Sequence, residues 1–138
     1  MAVLIDAQGS RIARFIREVA QGSIVVRGLT PGEHGMHLHD NGTCDPPDFA
    51  SAGGIVNLRG KHHGFENPQG PREGDLPNLK VGKNGTAEQF VSLKTSYRPL
   101  VHYQGGAFII HADPDDQATD PEGKSGARIL CGIFFASQ

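Results

Sequence analysis

The sequence has no long apolar run, no large excess of charge of either sign, and only two cysteines among its 138 residues. Without about 18 consecutive apolar residues, no transmembrane helix is expected. The formal net charge of -2 provides no general attraction for nucleic acid or for an anionic membrane. The first residues have neither the basic start nor the apolar stretch of a signal peptide, which predicts either a cytoplasmic protein or the mature form of an exported one.

Motifs that mark several other classes of protein are also missing. The sequence contains no nucleophile elbow with a Ser-His-Asp grouping, no glycine-rich phosphate-binding loop and no basic stripe. A hydrolytic or nucleic-acid-binding function is therefore not predicted.

The composition predicts one domain of short strands, spanning residues 1–138. Hydrophobic residues make up 37% of the chain, and 19 glycines and 9 prolines supply many turns. Asn84-Gly85 is typical of a hairpin turn, whereas residues 41–78 and 112–126 contain no long periodic run and predict two long loops. Strands are predicted at residues 3–5, 23–29, 79–81, 87–93, 100–103, 107–111 and 127–135, and in the His-rich segment after Thr30-Pro-Gly32. About eight short strands with two long loops indicate an all-β sandwich or barrel.

Residues 31–44 carry the strongest chemical signal, with three of the seven histidines and one of the two cysteines. His37 and His39 are two positions apart, so an extended chain places both imidazoles on one face and Met36 and Leu38 on the other. Two adjacent imidazoles form half of a site for copper, zinc, iron or nickel. A polar strand face is the alternative interpretation of this pair.

The two cysteines, Cys44 and Cys131, leave two interpretations open. A disulfide between them would close a long loop and contribute about 4 to 5 kcal/mol in the chain-entropy model. Two buried thiols fit the sequence equally well.

Residues 32–44, Gly-Glu-His-Gly-Met-His-Leu-His-Asp-Asn-Gly-Thr-Cys, closely resemble the copper-site motif of the Cu/Zn superoxide dismutases. The resemblance continues in order through residues 51–54, 74–79, 108–116 and 126–132, and covers roughly residues 28–133. It implies a Greek-key β-barrel of eight strands. It also implies a strand in residues 11–20, where apolar residues recur at the spacing of a helix.

The resemblance further implies a Cys44–Cys131 disulfide, because the matching cysteines are paired in the family. Disulfides persist in oxidising compartments, so a periplasmic or extracellular location is the prediction, with a cytoplasmic one as the alternative. Family members are often dimers with differing interfaces, so the resemblance leaves a homodimer open.

The resemblance assigns copper to His37, His39 and His111. The fourth family ligand, a histidine that bridges copper and zinc, is replaced by Ile55, which cannot bind metal. In the family this imidazole also helps to deliver a proton to the peroxide product. Three nitrogen ligands suit Cu(I), so the oxidised state is expected to be disfavoured.

The zinc site that the resemblance implies is less complete. His63 and Asp75 match two of its four ligands, with His62 as a neighbouring substitute, but Arg72 stands where the family has another histidine. A structural zinc site needs four ligands, so little or no zinc binding is expected. Arg72 is instead expected to form a salt bridge with Asp75.

Three more residues have expected roles that rest on the same resemblance. Asp115 is expected to orient a copper-site histidine, and His34 to bond to the backbone rather than to metal. Arg128 matches the arginine that draws superoxide to copper, whereas His102 has no counterpart. The sequence therefore predicts a copper-dependent superoxide dismutase with weakened activity. The alternative is a non-catalytic copper-binding module or structural β scaffold.

Overall fold

Short apolar and β-branched segments separated by turns form strands in the part of the chain that the structure describes. The structure, a computed structural model, describes residues 2–6, 11–15, 21–92 and 105–134. The strands are β1 Ala2–Asp6, β2 Arg11–Phe15, β3 Gln21–Val26, β4 Gly32–His34, β5 Met36–His39, β6 Leu79–Val81, β7 Ala87–Ser92, β8 Gly106–His111 and β9 Arg128–Phe134. The prediction of an all-β fold is confirmed. Within the described ranges the one helical element is the short 3-10 turn Ala50–Ala52, and no helix there has the length and apolar character needed to cross a membrane.

Antiparallel pairing joins seven of these strands in one sheet, in the order β5-β8-β9-β1-β2-β3-β7, while β4 and β6 form a second, two-stranded sheet. The segment whose apolar residues recur at helical spacing is a strand over Arg11–Phe15, because β2 pairs with β1 on one side and with β3 on the other. Pairing with two neighbours therefore outweighs the helical spacing of its apolar residues. Residues 16–20 and the predicted strand at residues 100–103 lie outside the described ranges.

The His-rich segment forms two strands rather than the one expected, because the chain passes from the small sheet to the large one at Gly35. The Gly35 N–H donates to the Asp113 carbonyl at 2.8 Å, and the Gly35 carbonyl accepts from the His111 N–H at 2.8 Å. A Cβ at this position would lie 2.5 Å from Ser125 Cβ, so only glycine fits. Splitting this segment brings the described residues to nine strands, against the eight expected.

The turn predicted at Asn84-Gly85 is present between β6 and β7, but these two strands lie in different sheets, so it does not close a paired hairpin. The Gly82 N–H donates to the Thr86 carbonyl at 2.9 Å, and Asn84 Oδ1 accepts from both the N–H and the hydroxyl of Thr86. Gly85 has a φ of 78°, the left-handed conformation that glycine adopts most readily. The turn therefore links the small sheet to β7, the last strand of the large sheet.

Alternation along β5 and β8 separates the main core on one face of the sheet from the histidines on the other. Met36 and Leu38 lie in the main core with Phe108 and Ile110 of β8, while His37 and His39 lie on the opposite face of β5. The predicted period of two is confirmed. The main core comprises Ile24, Val26, Leu29, Met36, Leu38, Val56, Leu76, Leu79, Val81, Ala87, Val91, Phe108, Ile110 and Leu130.

The outer face of β8 and β9 is covered by the loop after β5. Phe49 and Ala52 of this loop pack on Ala107, Ile109 and Cys131 in a second buried cluster. The disulfide between Cys44 and Cys131 is present, which confirms the pairing that the resemblance implied. It links residues 87 positions apart and fixes this loop to β9 beside the histidine face.

Candidate metal centre

Three histidines meet on the outer face of the large sheet. His37 and His39 lie on β5, His111 ends the neighbouring strand β8, and all three side chains are buried. His37 Nδ1 lies 3.1 Å from His111 Nε2. One nitrogen from each ring and a carboxylate oxygen of Glu122 all lie within 4.8 Å of one another. The structure thus brings together the three residues that the sequence assigns to copper.

The second nitrogen of each ring donates a hydrogen bond away from this cluster. His37 Nε2 donates to Asp115 Oδ2 at 2.7 Å, and His39 Nδ1 donates to the Gly53 carbonyl at 2.8 Å. His111 Nδ1 donates to the Gly126 carbonyl at 3.0 Å. When a ring is neutral, such a bond fixes its tautomer, and the lone pair of His37 Nδ1, His39 Nε2 or His111 Nε2 then points inward.

This donor set fits a copper ion. His39 Nε2 is buried without a hydrogen-bond partner, and the lone pairs of His37 Nδ1 and His111 Nε2 face each other. Burial lowers the pKa of His39 well below its usual value, and burial with the neighbouring His37 lowers the pKa of His111 to about 4. The rings of His39 and His111 are therefore neutral, the form in which imidazole binds copper, zinc, iron or nickel.

His63 belongs to a second group, in which carboxylates engage both of its nitrogens. His63 Nδ1 donates to Asp75 Oδ1 at 2.6 Å and His63 Nε2 donates to Asp115 Oδ1 at 2.8 Å. Burial opposes the charged ring, but the hydrogen bonds with Asp115 and Asp75 outweigh it and raise the pKa of His63 to about 9. A protonated His63 has no lone pair for a metal.

Asp115 connects the two groups. Its Oδ2 accepts from His37 and its Oδ1 accepts from His63, and the N–H of Gln117 donates to Oδ1 at 2.7 Å. Burial favours the neutral carboxyl, but the hydrogen bonds from His37 and His63 hold its pKa well below the usual range. Asp115 therefore lies where it can orient His37.

The expected salt bridge between Arg72 and Asp75 is wrong. The Arg72 guanidinium pairs with Asp120 at 3.1 Å and donates to the carbonyls of Lys61 and Pro121. Asp75 already accepts from His63 and from the backbone N–H groups of Gly64 and Arg72. With these partners in place, the Arg72 side chain turns outward to Asp120, which His62 also contacts at 2.6 Å.

Ile55 lies directly beside the three-histidine cluster. Its backbone forms an isolated β-bridge with His39, and its side chain is buried. Its aliphatic side chain supplies neither a ligand nor a proton. Ile55 also forms part of the lining of a cleft of about 760 Å³ on this face, together with Arg72, Glu122 and Arg128.

Arg128 is held rigidly at this cleft. Its Nη1 donates to the Phe49 carbonyl at 2.9 Å, and its Nη2 donates to the Gly53 carbonyl at 2.8 Å. Nη2 also pairs with Glu122 Oε1 at 3.1 Å. The loop that the disulfide fixes therefore also fixes the guanidinium.

Sequence reasoning missed Glu122 and Asp120. Both are acidic residues in an irregular loop, where no periodicity indicates which side chains face the site. Of the remaining histidines, His34 contacts the backbone carbonyls of His111 and Thr30 at 2.7 and 2.8 Å, as expected. His102 lies outside the described residues.

The sequence of this chain is similar to those of a known protein family and of several individual proteins. Residues 12–134 match the family described as copper/zinc superoxide dismutase. The superoxide dismutase-like protein YojM of Bacillus subtilis is 45% identical over 121 residues, which are 83% of this chain and 62% of that protein. The chain therefore spans less than two thirds of that relative. Superoxide dismutase [Cu-Zn] 2 of Aquifex aeolicus is 38% identical over 144 residues, covering 96% of this chain and 84% of the relative.

A solved structure shares the fold closely. It is a double mutant of a SOD-like protein from Bacillus subtilis, in which histidine replaces a tyrosine and a proline. It is 37% identical, with a TM-score of 0.87, and the match covers 98% of this chain and 96% of the other.

Proposed function

Because the chain belongs to the copper/zinc superoxide dismutase family, we propose that it binds copper through His37, His39 and His111 and disproportionates superoxide at a reduced rate. The observation that carries this proposal is the buried convergence of three inward lone pairs, one of them on His39 Nε2 without a hydrogen-bond partner. Bound copper would supply the one-electron oxidation and reduction that this reaction requires.

The protein around the copper would supply charge and position. One superoxide gives up an electron to become oxygen, and a second takes up an electron and two protons to become hydrogen peroxide. Arg128 draws the anion into the cleft through a fixed positive charge, because two backbone carbonyls hold its guanidinium there. Its ion pair with Glu122 offsets part of that charge.

Proton delivery is the step that this chain supports poorly. The family's bridging imidazole is replaced by Ile55, whose side chain carries no exchangeable proton. A positioned general acid typically accelerates a reaction about 10²–10⁴-fold. Water in the cleft is then the proton source, which is the main reason for the reduced rate.

Zinc is not part of the proposal. Only His63 and Asp75 match family zinc ligands, and His63 is engaged on both nitrogens by carboxylates. Releasing a lone pair for zinc would separate a buried, charged histidine from Asp115 and Asp75. The protonated His63 takes the place of the zinc ion in organising Asp75 and Asp115.

The proposal also includes the barrel fold of the family, the cellular location and the oligomeric state. The small sheet continues into β5 at one end of the large sheet and is joined by a tight turn to β7 at the other. These connections support closure into an eight-stranded Greek-key barrel with β4 and β5 counted as one strand. The disulfide supports a periplasmic or extracellular location. All three proposed copper ligands come from one chain, so the function is compatible with either a monomer or a homodimer.

Metal loading followed by an assay on the same sample tests the proposed function. The metal-free protein is incubated with excess copper and zinc and desalted, and its metal content and superoxide dismutation are measured. We expect one copper per chain, little zinc, and activity that a chelator removes. His39→Gln is expected to lose copper, whereas His62→Gln, which changes an exposed histidine paired with Asp120, is expected to retain it. A protein that binds no copper contradicts the proposal.

A non-catalytic copper-binding module is the second candidate function. It is favoured by Ile55 at the position of the bridging histidine and by the engagement of His63 with two carboxylates. Stoichiometric copper without measurable dismutation would select this function over the first.

A further inference from the structure

We infer that Glu122 is a fourth ligand of the copper, in addition to His37, His39 and His111. The inference rests on the proposed copper site and goes beyond it, because the family motif places only histidines on copper. Glu122 lies in the loop between β8 and β9, and its carboxylate points toward the three-histidine cluster.

The distances suit a four-coordinate centre. Glu122 Oε1 lies 3.6 Å from His39 Nε2, and the four ligand atoms all lie within 4.8 Å of one another. A tetrahedral centre with bonds of about 2.0–2.1 Å separates its ligand atoms by about 3.3 Å. Small side-chain movements therefore bring all four atoms to one metal ion.

The unpaired nitrogen of His39 also indicates a metal ion beside Glu122, independently of the distances between the ligand atoms. His39 Nε2 is buried and has no hydrogen-bond partner, and the carboxylate oxygen nearest to it cannot donate a proton to it while ionised. Two electron-pair donors facing each other at this distance repel unless a cation lies between them. A metal ion satisfies both atoms together.

The loop fixes the position of the Glu122 carboxylate. The Ser125 hydroxyl donates to the Glu122 carbonyl at 2.6 Å, and the Gly123 N–H donates to the Thr119 carbonyl at 2.7 Å. Arg128 Nη2 holds the carboxylate at 3.1 Å. The same oxygen, Oε1, pairs with Arg128 and lies nearest to His39 Nε2, and its two lone pairs allow it to bind copper while it still accepts from Arg128, which makes Arg128 a positioning residue for Glu122.

A carboxylate ligand changes which oxidation state of copper is favoured. Sites of mixed nitrogen and oxygen ligands suit Cu(II), whereas three nitrogens alone suit Cu(I). Glu122 therefore stabilises the oxidised ion that loss of the bridging histidine disfavours. Its negative charge further favours the ion of higher charge.

Copper titration of Glu122→Gln tests this inference. Cu(II) affinity is measured by competition with a chelator, Cu(I) affinity with a Cu(I)-specific chelator, and the Cu(II) ligand set by electron paramagnetic resonance. We expect the parent spectrum to report three nitrogens and one oxygen. We expect Glu122→Gln to change the spectrum and to weaken Cu(II) binding at least about tenfold, since losing a partner that only orients a ligand already costs about 10–100-fold. Cu(I) affinity should change much less.

Two controls separate direct binding from indirect effects. Asp48→Asn removes another acidic side chain that lines the same cleft, outside the ligand cluster, and is expected to leave the spectrum unchanged. Glu122→Gln in an Arg128→Gln background removes the ion-pair partner first. If Glu122→Gln weakens Cu(II) binding only while Arg128 is present and leaves the copper spectrum unchanged in both backgrounds, Glu122 acts by neutralising Arg128 and the inference is overturned.

The two proposals fail in distinguishable ways. If the parent binds copper and Glu122→Gln retains its spectrum and its Cu(II) affinity, the inference is wrong while the proposed copper site stands. If the parent binds no copper, both are wrong. Urea unfolding of the metal-free variants checks that each one folds, which we expect because Glu122 is 25% exposed.

Discussion

Ile55 is the residue whose chemistry most limits the proposed reaction. It is buried beside His39, and its side chain contributes packing where the family has an imidazole. The three proposed copper ligands are otherwise in place, because each histidine is oriented by a hydrogen bond to a fixed partner. Restoring one imidazole at this position therefore changes proton delivery without rebuilding the site.

Ile55→His is expected to raise the rate of superoxide dismutation of the copper-loaded protein by about 10²-fold, the lower end of what a positioned general acid contributes. The rate is measured on samples of equal copper content. Leu58→His is the matched control, since it adds an imidazole at an exposed position of the same loop. An equal rate for Ile55→His and the parent would contradict the assignment of the rate loss to Ile55.

The two long loops form the site together because they pack closely at Gly64. Its N–H donates to Asp75, and its φ of 110° lies in the region that favours glycine. A Cβ there would overlap the backbone carbonyl of Gln117 in the other loop. Gly64 therefore determines how closely the loop that carries His63 approaches the loop that carries Asp115.

Gly64→Ala is expected to lower the free energy of unfolding by about 1–3 kcal/mol more than Gly60→Ala, since overpacking adds to the backbone strain that both changes introduce. Gly60 is a close match, with a φ of 64° and no atom within 4 Å of an added Cβ. Urea unfolding of the metal-free proteins measures the difference. Equal losses for the two variants would show that the contact between the loops contributes nothing.

The strands and the loops differ in how much of them the sequence predicts. The period of two correctly places Met36 and Leu38 in the core and His37 and His39 on the opposite face, because a strand leaves its side chains no other arrangement. Contacts between loops follow no period. The partner of Arg72 was therefore predicted wrongly, and the position of Glu122 beside the histidines was not predicted at all.

The resemblance to the superoxide dismutase family indicated the disulfide and the strand β2, which the residue pattern alone did not determine. Two cysteines 87 positions apart are compatible with a disulfide or with two thiols, and only the family motif indicated the pairing that the structure has. The helical spacing around Ile12 was likewise misleading, because pairing of β2 with β1 and β3 is a property of the whole sheet. Local sequence carries no information about such distant partners.

At the scale of the whole molecule, the free energy of unfolding depends on pH because some buried histidines are held neutral and another is held charged. His39 and His111 are held neutral, since burial lowers the pKa of both. His63 is held charged, since its bonds with Asp115 and Asp75 outweigh the effect of burial and raise its pKa to about 9. The unfolded chain returns all three side chains to an ordinary histidine pKa near 6.5.

These shifts predict that the free energy of unfolding of the metal-free protein is greatest near pH 6.5. Below that pH His39 and His111 are protonated in the unfolded chain but remain neutral in the folded protein. The free energy of unfolding therefore decreases as pH falls toward about 4. Protonation of Asp75 and Asp115, whose pKa values are lowered, continues this fall at more acidic pH. Above pH 6.5 the folded His63 keeps a proton that the unfolded chain releases, so its contribution is lost as pH rises through about 9.

Urea unfolding from pH 4 to 10 in the presence of a chelator measures this profile, and NMR titration of the imidazole protons assigns its alkaline limb to His63. We expect the His63 resonance to titrate near pH 9 in the folded protein. His62→Gln is the matched control, because it removes the adjacent exposed histidine and should leave the alkaline limb unchanged. A flat stability profile between pH 6.5 and 9 would mean that His63 is not held charged between Asp75 and Asp115, so that a nitrogen of His63 would keep a lone pair for zinc.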